Sequence, residues 1–298
     1  MKLENACLCV EIAEKGAELT RIFNKKTGAE ILWNGNPEFW NRHSPILFPN
    51  VGKTHGNTVL IKGTQYPTSQ HGFARDSQFR CVKSAAEEAQ FLFCSNEETR
   101  EVYPYDFELY ITYRLDGKNI FVDWKVKNPS EETIYFTIGA HPAFMFEGAK
   151  ETKDDYLLWF SKMETLECCG LNLECGTGLP EESYSLELED GYLQLSEKLF
   201  GVDTLICDDY QLKEVWLCKK DGRKPYVGVK SEGFYSYGIW SPKNAPFVCL
   251  EPWAGRCDDT GFDKDISEKK GINAVQRERY LKRIPDSGGI VVQHEKDK

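Results

Sequence analysis

Histidine is scarce in this chain, five in 298 residues, so each one can be weighed singly. No apolar run approaches the roughly 18 residues that a membrane-crossing helix needs, which excludes that mode of membrane insertion. The N-terminus MKLENACLCVEIAEKG carries Glu4, Glu11 and Glu14 where a secretory signal requires an unbroken apolar core, and the cytoplasm is the default compartment. No block of Lys and Arg stands out against a formal charge of −10, so nucleic-acid binding by phosphate neutralisation is not expected. The eleven cysteines are odd in number and include neither a CxxC pair nor a regular framework. Their closest groupings, Cys7 with Cys9 and Cys168-Cys169 with Cys175, have no histidine near them in sequence. Reduced thiols, many buried as small hydrophobes, explain them better than a structural metal. Linkers rich in Pro, Gly or Ser, low-complexity segments and internal repeats are missing as well, and strand-like segments continue from about residue 8 to 293. One domain over residues 1–298 is the economical reading.

What is present is core material. Seven Trp, 14 Tyr, 17 Phe and 41% hydrophobic residues exclude a long disordered chain. The dominant period is two. Phe107, Leu109, Ile111 and Tyr113 share one face of a strand, as do Ile120, Val122, Trp124 and Val126, and Asp116-Gly117 between them is turn chemistry. Asp190-Gly191 and Asp221-Gly222 punctuate two more pairs of alternating runs. Tight turns of this kind join antiparallel strands, since parallel ones need long crossovers. Further strands are expected at Leu8–Ile12, Phe79–Val82, Phe91–Cys94, Ile134–Ile138, Ser236–Trp240, Phe247–Leu250 and Ile290–Gln293, with short helices at Ser196–Phe200 and Asp265–Lys270. The pattern predicts an all-β fold, a large antiparallel β-sandwich.

Among the histidines, His294 in QHEKDK reads as solvated and His55 in KTHGN as an exposed turn residue. His141 follows the apolar run IYFTIGA and precedes Pro142, which forces it into extended backbone where strand pairing stops, beside Phe144 and Phe146. An imidazole there suits a general acid; a histidine bonded to a loop carbonyl fits the same residues. Glu251 follows the apolar run FVCL and precedes Pro252 and Trp253, so a strand end would hold a partly desolvated carboxylate fit to act as a base. A rim glutamate paired with Arg256 is the alternative. His71 lies in QHGFARDSQF, where Arg75 offers a two-pronged donor unless it pairs with Asp76. The segment 42–53 brings Arg42, Asn50 and Lys53 into one loop.

Order joins these separate signals. HGFAR at 71–75, IGAHPAF at 138–144, LFGVDTLI at 199–206, GIWS at 238–241, LEPWAGRCDD at 250–259 and DISEKKGIN at 265–273, together with SPILFPNVG, resemble the aldose 1-epimerase (galactose mutarotase) superfamily, specifically its LacX-type branch. The resemblance implies a large β-sandwich with a sugar cleft on the concave face of one sheet, and anomer interconversion with no cofactor and no metal. Carried over by position, it makes His141 the acid at the ring oxygen, Glu251 the base at the C1 hydroxyl and His71 a second histidine steadying the substrate. Asp203 would bind sugar hydroxyls, Arg75 and Asn50 would meet others, and Trp253 would supply an apolar face, with Phe144 a further candidate. Trp240 reads as a core residue.

This sequence departs from the secreted and eukaryotic-type mutarotases at FPNVGK, where Lys53 stands in place of an expected Arg. Because some relatives act on hexose 6-phosphates through clustered basic residues, Arg42, Lys53 and Arg75 make a phosphorylated substrate the first alternative. A non-catalytic sugar-binding protein on the same fold is the second. The partner expected in every case is a small sugar, and the sequence does not speak to oligomeric state.

Overall fold

The period-two segments fold as strands, and the turn dipeptides between them close antiparallel pairs. A computed structural model describes the backbone of residues 1–148, 150–276, 280–283 and 290–294, with side chains described up to residue 276. The side chain of His294 therefore lies outside the described residues. The longest hairpin pairs Glu108–Asp116 with Asn119–Lys127, each with buried and half-exposed residues in strict alternation. Its turn runs through Gly117 at φ +57°, while Asp116 stays in the strand opposite Asn119.

Two sheets stack to form an all-β sandwich. One contains, in spatial order, Tyr192–Gln194, Tyr156–Trp159, Glu214–Lys219, Lys224–Lys230, Ile290–His294, Asn119–Lys127, Glu108–Asp116, Glu88–Cys94 and Arg80–Ser84. The other runs Thr177–Glu187, Thr165–Asn172, Leu205–Cys207, Ser236–Trp240, Phe247–Ala254, Ile138–Ala140 and Ile46–Leu47, with Ala143–Met145 also paired to Phe247–Ala254. A smaller sheet from Lys2–Glu4 to Ala29–Glu30 packs at one side. One core cluster fills the space between the sheets, drawing on Phe91, Ile111, Tyr113 and Val227 from the first and Ile239, Val248 and Leu250 from the second.

Some local expectations need correction. Asp190 and Gly191 both take positive φ and close the expected tight turn, across which Glu189 and Tyr192 exchange backbone hydrogen bonds at 2.9 Å, but the strands it connects lie in different sheets. Thr177–Glu187 belongs to the second sheet and Tyr192–Gln194 to the first, so this turn hands the chain across the sandwich. The expected helices are single 3-10 turns at Leu199–Val202 and Ile266–Glu268. The α-helix Glu97–Val102, capped by Asn96, is too short for its period to register in the sequence. The Phe247 strand does not stop before Glu251 either; it continues to Ala254 with Pro252 inside it.

That proline sits beside a break in the neighbouring strand. Ile138–Ala140 pairs with the far end of the strand through Ile138 with Ala254 and Gly139 with Trp253. Ala143–Met145 pairs with its near end through Ala143 with Cys249. His141 and Pro142 bridge the gap, and the Pro142 carbonyl accepts the Leu250 N–H at 3.2 Å. Two residues further on, the same register sets Pro252 opposite Ala140, and the N–H that Pro252 lacks leaves the ladder one bond short beside that interruption.

Leu250 points into the core and is fully buried. Leu250→Ala is expected to cost 2–5 kcal/mol, or about that order, read as a lowered denaturation midpoint with an unchanged slope.

Candidate active site

Strand alternation decides what reaches the open face of the second sheet. In Phe247–Ala254, Val248, Leu250 and Ala254 enter the main core, whereas Phe247, Cys249, Glu251 and Trp253 project to the other side. A cleft of about 440 Å³ opens above them, within the range of small-molecule sites. His71, His141 and Glu251 line it together with Arg75, Lys53, Asp203, Trp253, Trp240 and Trp40.

The strand break next to Glu251 delivers His141 to it. Nε2 of His141 lies 3.3 Å from Oε2 of Glu251, with the two side chains 9% and 1% exposed. Beyond the facing His141 ring and the Trp253 indole N–H, the Glu251 carboxyl has no well-formed hydrogen bond within the protein, and neither has Nδ1 of His141. Poorly satisfied polar atoms are rare in protein interiors, and here they converge on one cleft. Burial disfavours both charged forms. It raises the Glu251 carboxyl well above its ordinary value, helped by the nearby Asp203 carboxylate and opposed slightly by the Trp253 indole N–H. It also pushes His141 down to about 3, with Arg75 and Arg42 adding to the effect.

His71 is fixed by its backbone. It sits at φ +67°, donates its N–H to the Gly52 carbonyl at 2.8 Å, and receives the Gly52 N–H on Nδ1 at 3.1 Å. An Nδ1 that accepts cannot carry the ring proton, so neutral His71 presents Nε2–H. Burial, then His141, Arg75 and Arg42, holds its pKa well below the usual imidazole value. Gly72, also at positive φ, has no room for a Cβ, which would fall 2.2 Å from the Phe48 carbonyl oxygen. The His71 ring stands 5.5 Å from that of His141, nearly perpendicular.

Three indoles shape the remaining walls. Trp40 stacks on the His141 imidazole at 4.7 Å, and Trp240 meets the same ring edge-on at 5.7 Å. Trp253 lies flat across its own sheet. A Cβ on Gly139 or Gly238, one on each neighbouring strand, would come within 2.4 Å of that indole.

A sequence model of the aldose 1-epimerase family matches residues 1–260. This chain belongs to the aldose 1-epimerase family. It is 33% identical over 292 residues to the plasmid-encoded protein LacX of Lactococcus lactis, covering 92% of this chain and 94% of the relative. Among solved structures it resembles a galactose mutarotase related enzyme from Lactobacillus acidophilus, with 31% identity, a TM-score of 0.91, and 99% and 97% of the two chains covered. A galactose mutarotase-like protein from Lactobacillus casei gives a TM-score of 0.87 at 29% identity, with 99% of each chain covered. The galactose mutarotase-like sandwich expected from the motifs is the fold observed.

Several residue placements differ from expectation for an aldose 1-epimerase cleft. Asn50 is turned away from it, its Nδ2 donating to the carbonyls of Gly52 and Ser69 at 3.0 and 2.9 Å. It lines a separate, largely apolar cavity of about 380 Å³ that contains neither His141 nor Glu251. Phe144 is wholly buried in the main core, on the inward parity of its strand. Trp240 is half-buried and faces the cleft instead of the core. Arg42 is drawn aside by Asp76 at 3.0 Å, leaving Lys53 and Arg75 as the basic residues of the expected trio that line the cleft. Arg256 pairs with Asp208 and Asp259, not with Glu251. His55 is half-buried, its Nδ1 accepting the Gly261 N–H at 3.3 Å. Trp40, absent from the sequence reading, sits in NPEFWNRH, where nothing periodic marks it.

A buried carboxyl with a raised pKa favours the folded state at low pH and loses that contribution as pH rises through its folded value. Glu251→Gln, which cannot titrate, is therefore expected to be more stable than wild type near pH 8 by ~1–3 kcal/mol. The difference should close toward pH 4.5, the ordinary value of the carboxyl, in thermal melts recorded at both pH values.

Proposed function

We propose that this cleft interconverts the α and β anomers of a free hexose by opening and reclosing its ring, with Glu251 and His141 as the proton-transfer pair. The observation that carries the reading is their 3.3 Å separation deep in the cleft, with neither carboxylate oxygen in a well-formed hydrogen bond. O1 and O5 of a pyranose are bonded to the same carbon, so an acid and a base placed this close can reach both at once.

The proton balance closes within the pair. Carboxylate and imidazolium form the reactive state: Glu251 takes the proton from O1–H and the O–H electrons form the carbonyl. The C1–O5 bond then breaks toward O5, which receives the proton from Nε2 of His141. The pair is left as carboxylic acid and neutral imidazole, the same net charge with the proton moved. After rotation about C1–C2 the carbonyl presents its other face, every transfer reverses, and the pair is reset. Burial that disfavours both charges narrows the energy difference between these two states, as an exchange of roles requires. No redox change or covalent intermediate enters the balance.

His71 acts here as a neutral donor, with Nε2–H directed to the ring-oxygen side. Trp253, Trp240 and Trp40 offer flat apolar faces to the C–H surface of the sugar. Arg75, Asp203 and Lys53 serve its hydroxyls at the more polar walls. Lys53 and Arg75, both lining the cleft, support the second reading, a hexose 6-phosphate substrate.

Polarimetry on freshly dissolved α-galactose, α-glucose and α-glucose 6-phosphate tests both. His141→Asn and Glu251→Gln are each expected to lower the rate by on the order of 10²-fold or more. A wild-type protein that binds sugar yet does not exceed the buffer rate would overturn the enzyme reading. If His71 acts through a neutral Nε2–H, His71→Gln should retain more of kcat than His71→Leu, and equal losses would remove it from that role.

A further inference from the structure

Directly below the acid–base pair lies a thiol to which the sugar reaction gives no task. Cys249 is two residues from Glu251 on the same strand and projects to the same face. It is flanked in the sheet by Trp240 on one side and Ala143 on the other, and it is fully buried. One ligand atom from each of His141, Cys249 and Glu251 lies within 4.8 Å of the other two. We propose that these three side chains form a binding site for a divalent transition-metal cation of the Zn²⁺ class, and that its occupancy shuts the cleft reversibly.

Geometry and donor chemistry both favour such an ion. With Zn–N and Zn–O bonds of about 2.05 Å, the 3.3 Å between Nε2 of His141 and Oε2 of Glu251 subtends about 107° at the metal, close to the tetrahedral angle. The Cys249 thiol, within 4.8 Å of the other donors, closes by up to about 1 Å on binding to reach a Zn–S bond of about 2.3 Å. The carboxylate is already buried, without a well-formed hydrogen bond, and aimed into the site. A nitrogen, a sulfur and an oxygen donor select zinc, cobalt or copper over magnesium and calcium, which prefer all-oxygen shells. The cleft above provides access and room for a water in the fourth position.

Charge accounting points the same way. One thiolate and one carboxylate neutralise a 2+ ion, so the filled site carries no net charge into the interior. Binding releases two protons to solvent, one from the thiol and one shared by His141 and Glu251. With its lone pair on the metal, the imidazole cannot return a proton to a sugar, and the carboxylate cannot accept one. The cation is thus an inhibitor and competes with substrate for the same two groups.

Binding stands apart from the mutarotase reading; only the inhibition rests on it. The test is to titrate metal-free wild type with Co²⁺, whose thiolate complexes show a near-ultraviolet charge-transfer band, and then displace it with Zn²⁺. One equivalent should produce the band. Cys249→Ala should remove it and weaken Zn²⁺ affinity by at least roughly tenfold, while Cys94→Ala, at an exposed thiol, should leave both unchanged. Cys249→Ser, which keeps the volume, serves if the alanine variant does not fold, and should lose the band equally. In polarimetry, Zn²⁺ should slow wild type, with the slowing relieved by excess sugar, and should slow Cys249→Ala less relative to its own metal-free rate. No band in wild type, or a band that persists in both Cys249 variants, overturns the site. A band that behaves as expected in a protein with no anomerase activity would uphold the site and reject only the inhibition.

Discussion

The arrangement depends on one cost: a carboxyl kept 1% exposed, with only the His141 ring at 3.3 Å and the Trp253 indole beside it. A buried acid so sparsely paired is expensive by any measure, and the surrounding structure is organised around holding it there. The Phe247–Ala254 strand is paired at both ends and on both sides, with its other face sealed by Val248 and Leu250 in the main core. On the side of Ile138–Met145 the pairing lapses at His141 and Pro142, and that interruption brings the imidazole to the carboxyl.

Much of the fold was legible because a sheet writes its parity directly into the chain. The alternation in Glu108–Asp116 and Asn119–Lys127, and the glycine turn between them, match the observed register. The reach of the Phe247 strand exceeds expectation because Pro252 reads as a terminator, whereas here it costs the ladder one bond and the strand continues, paired through Trp253 on both sides. Helical expectations failed for a related reason. Single 3-10 turns such as Leu199–Val202 are too short to carry a period, and local composition alone does not separate them from helix.

The site was legible to a different degree. His71, His141, Glu251, Arg75, Asp203, Trp253 and Lys53 all line one cleft. Asn50 carries the right functional group but has already spent it on the backbone of Gly52 and Ser69, bonds formed only when the chain folds back. Trp40 was missed because its contact with His141 spans a hundred residues and obeys no spacing rule. Trp240 was assigned to the core because aromatic content says nothing about which side of a sheet an indole faces. Parity relative to Glu251 does: Trp240 stands opposite Cys249 in the register and must share its face.

The flat lie of Trp253 carries a consequence for how such a cleft is specified. An indole can cross its neighbours at the level of the sheet only because Gly139 and Gly238 present nothing above the backbone. The floor of the cleft is therefore made by subtraction, and two residues with no functional group let the Trp253 indole lie flat beside Glu251. A description of this cleft by its chemical groups alone leaves out the positions that shape its floor.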